Sequence, residues 1–74
     1  MKLFLLTYDG LRRALVSIEE FQPGRYAEAS GRLFEVEEAQ PDLEVVLLEA
    51  ASIDDLKRRH RRYFENLTSF LQPA

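Results

Sequence analysis

Seventy-four residues with ten Lys and Arg against thirteen Asp and Glu carry a net charge of −3, with 46% apolar side chains, 31% charged ones and no cysteine. That balance describes one globular domain rather than a disordered chain, at a size where a single core is only marginally self-sufficient. The missing cysteines exclude a disulfide framework, a thiolate metal site and a thiol nucleophile, and the negative sum argues against general affinity for nucleic acid or anionic membrane.

The chain opens on a strand over residues 1–8. Leu3 and Leu5 point to one side, and Phe4, Leu6 and Tyr8 to the other. A strand apolar on both sides belongs in mid-sheet with cover on both faces. The apolar run is too short for a signal peptide, and no stretch approaches the length of a membrane span, so the expected setting is cytoplasmic, with no membrane contact.

Asp9-Gly10 between two apolar runs reads as a hairpin with a two-residue type I′ turn. Tyr8 then pairs with Leu11, Leu6 with Arg13, Phe4 with Leu15 and Lys2 with Ser17. Leu3, Leu5, Ala14, Val16 and Ile18 share the opposite face, which becomes the expected core side. A longer loop through Arg12 would slip this register and exchange the faces of the second strand.

Gln22-Pro23-Gly24 punctuates the chain, with Pro23 suited to the first turn of a helix. Tyr26, Ala29, Leu33 and Val36 then recur at steps of three and four, the spacing of one helix face. Gly31 lies inside that helix at a cost of about 1 kcal/mol against Ala, which close approach to the sheet would explain. The rival reading makes 33–37 a strand. Gln40-Pro41-Asp42 ends the element, and 43–50 reads as a third strand, with Val46, Leu48 and Ala50 on one side and Leu43, Val45 and Leu47 on the other.

Ser52 is placed as an N-cap, with Asp55 as the capping-box acid. The helix it opens carries Ile53, Leu56, His60, Tyr63, Phe64 and Leu67 on one stripe. It is expected to fray at Thr68, so that 1–67 form one domain and 68–74 a short tail bearing Phe70 and Leu71. Asn66-Leu67-Thr68 matches a glycosylation acceptor by chance in a cytoplasmic chain.

The expected fold class is therefore α+β, in the order β-β-α-β-α. Its three-stranded antiparallel sheet has strand order 2-1-3, with a right-handed crossover and two helices packed side by side on one face. That leaves the other face bare. Phe4, Leu6, Tyr8, Leu15, Leu43, Val45 and Leu47 would form an apolar patch larger than soluble monomers leave exposed, and a two-fold homodimer stacking these faces is the expected remedy. Cover by the tail, or by a helix assigned to the wrong face, is the alternative.

Chemistry has little foothold. Lys57, Arg58, Arg59, Arg61 and Arg62 form a basic stretch suited to phosphates or to an acidic protein partner. Steps of 100° spread these cations around the helix, however, and Asp54–Arg58, Asp55–Arg59 and Arg61–Glu65 stand at i,i+4 spacing. A solvated face, complementing the acids of the first helix alongside or a dimer mate, is the simpler reading. His60, with Tyr26 and Tyr63, could line a small-molecule pocket in which the imidazole acts as a base. A lone His on an apolar stripe is more simply a packed residue. No second His, no Cys and no spaced acid accompanies it, so neither a metal nor a cofactor is implied, and no residue is assigned as catalytic. The leading expectation is a non-enzymatic interaction or regulatory module that self-associates. Nucleic-acid binding through 57–62 and a pocket enzyme around His60 stand behind it.

Overall fold

A computed structural model describes residues 1–65. Its elements are β1 (Lys2–Asp9), β2 (Ala14–Phe21), α1 (Tyr26–Ala39), β3 (Glu44–Ala50) and α2 (Ile53–Arg59), followed by a 3-10 turn at Arg61–Tyr63. The fold is α+β. Its three strands pair antiparallel in the order β2-β1-β3, with the most apolar strand in the middle. Residues 33–37 are helical, which settles the strand alternative. The tail with Phe70 and Leu71, the boundary at residue 67 and the Asn66-Leu67-Thr68 triplet lie outside the described residues.

The hairpin departs from the two-residue turn. Asp9 pairs with Ala14, Tyr8 with Leu15 and Leu6 with Ile18, so the loop is Gly10, Leu11, Arg12 and Arg13. The cause is the Asp9 carboxylate, whose Oδ1 accepts from the backbone N–H of Leu11 at 3.1 Å and of Arg12 at 3.2 Å. An Asp that caps the following turn with its side chain favours a longer loop over a type I′ turn. Arg13, at φ 54°, takes the left-handed position that closes it. A bulge at Val16 shifts the register again between Thr7 and Tyr8. Val16 is consequently 52% exposed instead of belonging to the core, and Ile18 joins the face of Leu6 rather than that of Leu5.

Residues directly opposite in a sheet share a face. Phe4, Leu6 and Tyr8 therefore lie with Leu15, Ile18, Val46, Leu48 and Ala50, and on this side they form one cluster with Leu56 of α2 and with Tyr63 and Phe64 beyond it. Leu5 lies with Glu19 and Leu47 on the other side. There Arg32 of α1 reaches Glu19 at 3.0 Å, placing α1, with its buried Ala29 and Val36, over Leu3 and Leu5. The helices thus take opposite faces rather than one.

The bare face does not exist in this arrangement. Phe4, Leu6 and Tyr8 are at most 5% exposed within the single chain. The seven residues expected to form one patch are divided, with Val45 and Leu47 on the α1 side and Leu15 with Phe4, Leu6 and Tyr8 on the α2 side; Leu43 precedes β3, half-buried. Burying a large apolar side chain is worth about 1.5–3 kcal/mol, and that gain draws the chain's own second helix onto the face. A right-handed crossover governs α1 alone; α2 is free to take the side left open.

Two local expectations also change. Pro23 and Gly24 form a turn ahead of α1 rather than its first turn, with Gly24 at φ 88°, where a residue without Cβ is favoured. A Cβ built on Gly31 meets nothing within 4 Å, so this glycine does not bring α1 close to the sheet.

Candidate functional site

The described residues gather polar chemistry at one place, where the segment after β3 returns across the sheet. Ser52 is extended at φ −157° and ψ 174°, and its Oγ accepts from the Asp55 backbone N–H at 3.2 Å. The Asp55 carboxylate accepts in turn from the Ala51 N–H at 2.9 Å, and from Arg58 and Arg59 at 3.2 and 3.1 Å. The Ala51 hydrogen bond, followed by the two guanidinium bonds, outweighs desolvation and holds the Asp55 pKa down at about 2. The N-cap is as the sequence implies. Arg58, by contrast, pairs with Asp55 rather than Asp54.

The helix stops after Arg59. His60, at φ −127° and ψ 57°, donates its backbone N–H to Leu56 at 2.9 Å and accepts from the Tyr63 N–H at 3.3 Å. The break turns Tyr63 and Phe64 onto the sheet beside Leu56, which a continuous helix through Leu67 was expected to do. His60 is left half-buried at the junction.

Around Tyr63 lies the tightest polar arrangement. Its hydroxyl donates to Glu44 Oε2 at 2.7 Å, while Arg62 donates to Glu44 Oε1 at 3.3 Å. The Arg62 guanidinium carbon sits 4.8 Å from the Tyr63 ring centroid and 5.8 Å from that of Tyr8. The two rings meet edge to face at 5.1 Å and 88°. Burial, and then the Glu44 bond, raises the Tyr63 pKa above its ordinary value. A tyrosine so held is a fixed hydrogen-bond donor and not a base near neutral pH. This arrangement clamps the 3-10 turn to the start of β3.

The sequence-derived pocket is not assembled. Tyr26 opens α1 at 64% exposure on one side of the sheet, Tyr63 is buried on the other, and His60 borders only the latter. Of the five basic residues, Arg58 and Arg59 are tied to Asp55 and Arg62 to Glu44, while Lys57 and Arg61 are exposed without an ion pair among the described residues. The acids of α1 lie across the sheet and do not complement this segment. No group of three or more His, Cys, Asp or Glu among the described residues could hold a metal ion. No helix among them is long and apolar enough to cross a membrane.

Sequence reasoning missed Glu44. The available signal was parity: an acid sharing a strand face with Val46, Leu48 and Ala50 needs a donor from whatever covers that face.

The fold and this clamp define a small α+β domain whose antiparallel sheet lies between its two helices. Comparison with protein-family models, with curated proteins and with solved structures finds no match.

Proposed function

We propose that this chain is a non-enzymatic protein-interaction module whose first partner is a second copy of itself, joined in the cytoplasm as a homodimer along the outer edge of β3. With both faces of β1 covered by the chain's own helices, the association expected from the sequence moves from the sheet face to the sheet edge.

The observation supporting this reading is the difference between the two edge strands. β2 carries a bulge at Val16 and the acids Glu19 and Glu20, features that blunt an edge against further pairing. β3 has no bulge, and Val45, Val46, Leu47 and Leu48 run through its middle, each half-buried. It pairs with β1 alone among the described strands. Its acids stand toward its ends. In an antiparallel pairing centred on Leu47, Glu44 would fall opposite Ala50 and Glu49 opposite Val45, so no carboxylate would face another.

Size exclusion with light scattering tests the reading. A dimer is expected, and Leu47→Lys, which places two cations side by side on the axis, is expected to give a folded monomer. A wild-type monomer at the highest soluble concentration, or a Leu47→Lys dimer, overturns it.

A further inference from the structure

The sheet separates two helices of opposite charge. α1 carries Glu28, Glu35, Glu37 and Glu38 against Arg32 alone, and Arg32 is engaged by Glu19 and Glu35. Glu37 and Glu38 have no cation within ion-pair distance among the described residues. On the far side of the sheet Lys57 of α2 and Arg61 of the 3-10 turn are exposed, with no acid within ion-pair distance among the described residues. The chain cannot bring these groups together within one molecule.

Each set of charges has an apolar neighbour one turn away. Phe34 precedes Glu38 by four residues on the surface of α1 turned from Ala29 and Val36, and it is 66% exposed. Next to it, at Gly31, the space above the helix is open. Ile53 precedes Lys57 by the same four residues on α2 and is 37% exposed. On each helix an exposed apolar side chain stands four residues before a charge unpaired among the described residues, Phe34 before Glu38 and Ile53 before Lys57, and the two charges are opposite in sign; Arg61 follows past the break at His60, in the 3-10 turn.

We infer that α1 of one copy receives α2 of another together with the 3-10 turn that follows it, with Phe34 against Ile53 and Glu37 and Glu38 against Lys57 and Arg61. The occupant is a second copy because this same chain supplies both complementary surfaces. The contact uses two different patches on opposite faces, so it is head-to-tail and builds assemblies larger than a pair, rings or open chains, rather than closing as a two-fold dimer. Exposed ion pairs contribute little singly and are screened by salt, so the association is weak and salt-sensitive. It goes beyond the β3 pairing and does not depend on it.

Sedimentation of the full chain at about 0.02 M and about 0.5 M salt tests it. The weight-average mass is expected to rise with concentration at low salt and to lose that rise at high salt. The paired substitution Glu37→Lys with Glu38→Lys, and separately Lys57→Glu with Arg61→Glu, should each abolish the salt-sensitive growth. An equimolar mixture of the two variants should restore it, because each then meets an opposite charge on the other. A mass independent of salt, variants that grow as wild type does, or a mixture that stays unassociated overturns the inference. Salt-sensitive capture of a mixed-sequence oligonucleotide with no change in protein mass would also overturn it, by assigning Lys57 and Arg61 to nucleic acid. A β3-edge dimer survives both salt and these charge reversals, whereas Leu47→Lys removes that dimer and leaves the head-to-tail growth. The two ideas therefore fail separately.

Discussion

The Tyr63 hydroxyl lies 2.7 Å from Glu44 Oε2, nineteen residues earlier in the chain, and this bond fixes the last described turn to the first residue of β3. It joins a ring packed in the core to a carboxylate that also holds Arg62, so packing and polar contacts act on the same residue. Tyr63→Phe keeps the ring and removes the bond. A loss of about 1 kcal/mol is expected, read as a lower urea midpoint with an unchanged slope. Because the folded pKa of Tyr63 is raised, its contribution is complete below about pH 10 and is lost as pH rises through the folded value. The stability difference between wild type and Tyr63→Phe should narrow in that alkaline range and stay constant near neutrality.

Phe4 and Leu6 belong to the chain's own core, at 1% and 0% exposure. Phe4→Ala is expected to cost about 3–5 kcal/mol, a large fraction of the stability of a domain this size. Circular dichroism across a wide protein concentration range checks it. The loss should be the same at every concentration, whereas a residue buried only between two copies would lose stability mainly on dilution.

Asp55 gives the acid limb. With a folded pKa of about 2 against an ordinary 3.8, its contribution is complete above the ordinary value and is lost as pH falls toward about 2. Thermal melts from pH 6 to pH 2 (a range set by those carboxylate values) should show stability falling mainly at the acid end. Asp55→Asn should flatten part of that fall and lower stability at neutral pH. Ser52→Ala, which removes the Oγ acceptor, should cost about 1 kcal/mol at every pH in the range.

The hairpin separates its two turn residues. Gly10 has no positive φ, and a Cβ there meets nothing within 4 Å, so Gly10→Ala should change stability by less than about 0.5 kcal/mol. Asp9→Ala leaves the Leu11 and Arg12 N–H groups without their carboxylate acceptor and should cost about 1 kcal/mol. A type I′ turn would reverse that order, because its two central residues, Asp9 and Gly10, would both need positive φ. Chemical denaturation of the two variants decides between them.

Much of the fold was legible where local chemistry decides. Two-sided apolarity put β1 in mid-sheet, the three-and-four spacing from Tyr26 gave α1, and Ser52 with Asp55 marked the start of α2. What escaped depends on geometry that one residue can reverse. The choice Asp9 makes between sitting inside a tight turn and capping a longer loop resets every pair in the hairpin. The face α2 takes follows from how the chain leaves Ala50, which no periodicity encodes, and assigning it to the side already covered created a bare surface. The basic stretch read as one continuous helix because the sequence does not reveal the break at His60, which leaves Arg58 and Arg59 with Asp55 and sends Arg62 to Glu44. Tyr26 and Tyr63 looked like neighbours of His60 only as long as both helices shared a face.

Edge pairing at β3 is tested most directly by amide hydrogen exchange resolved along that strand at high and low protein concentration. The account predicts that alternate amides from Val45 to Leu48, those pointing away from β1, exchange slowly in concentrated solution and quickly on dilution, while the amides of β1 stay protected in both. Outward β3 amides that exchange at the same rate at both concentrations, with β1 still protected, would contradict it.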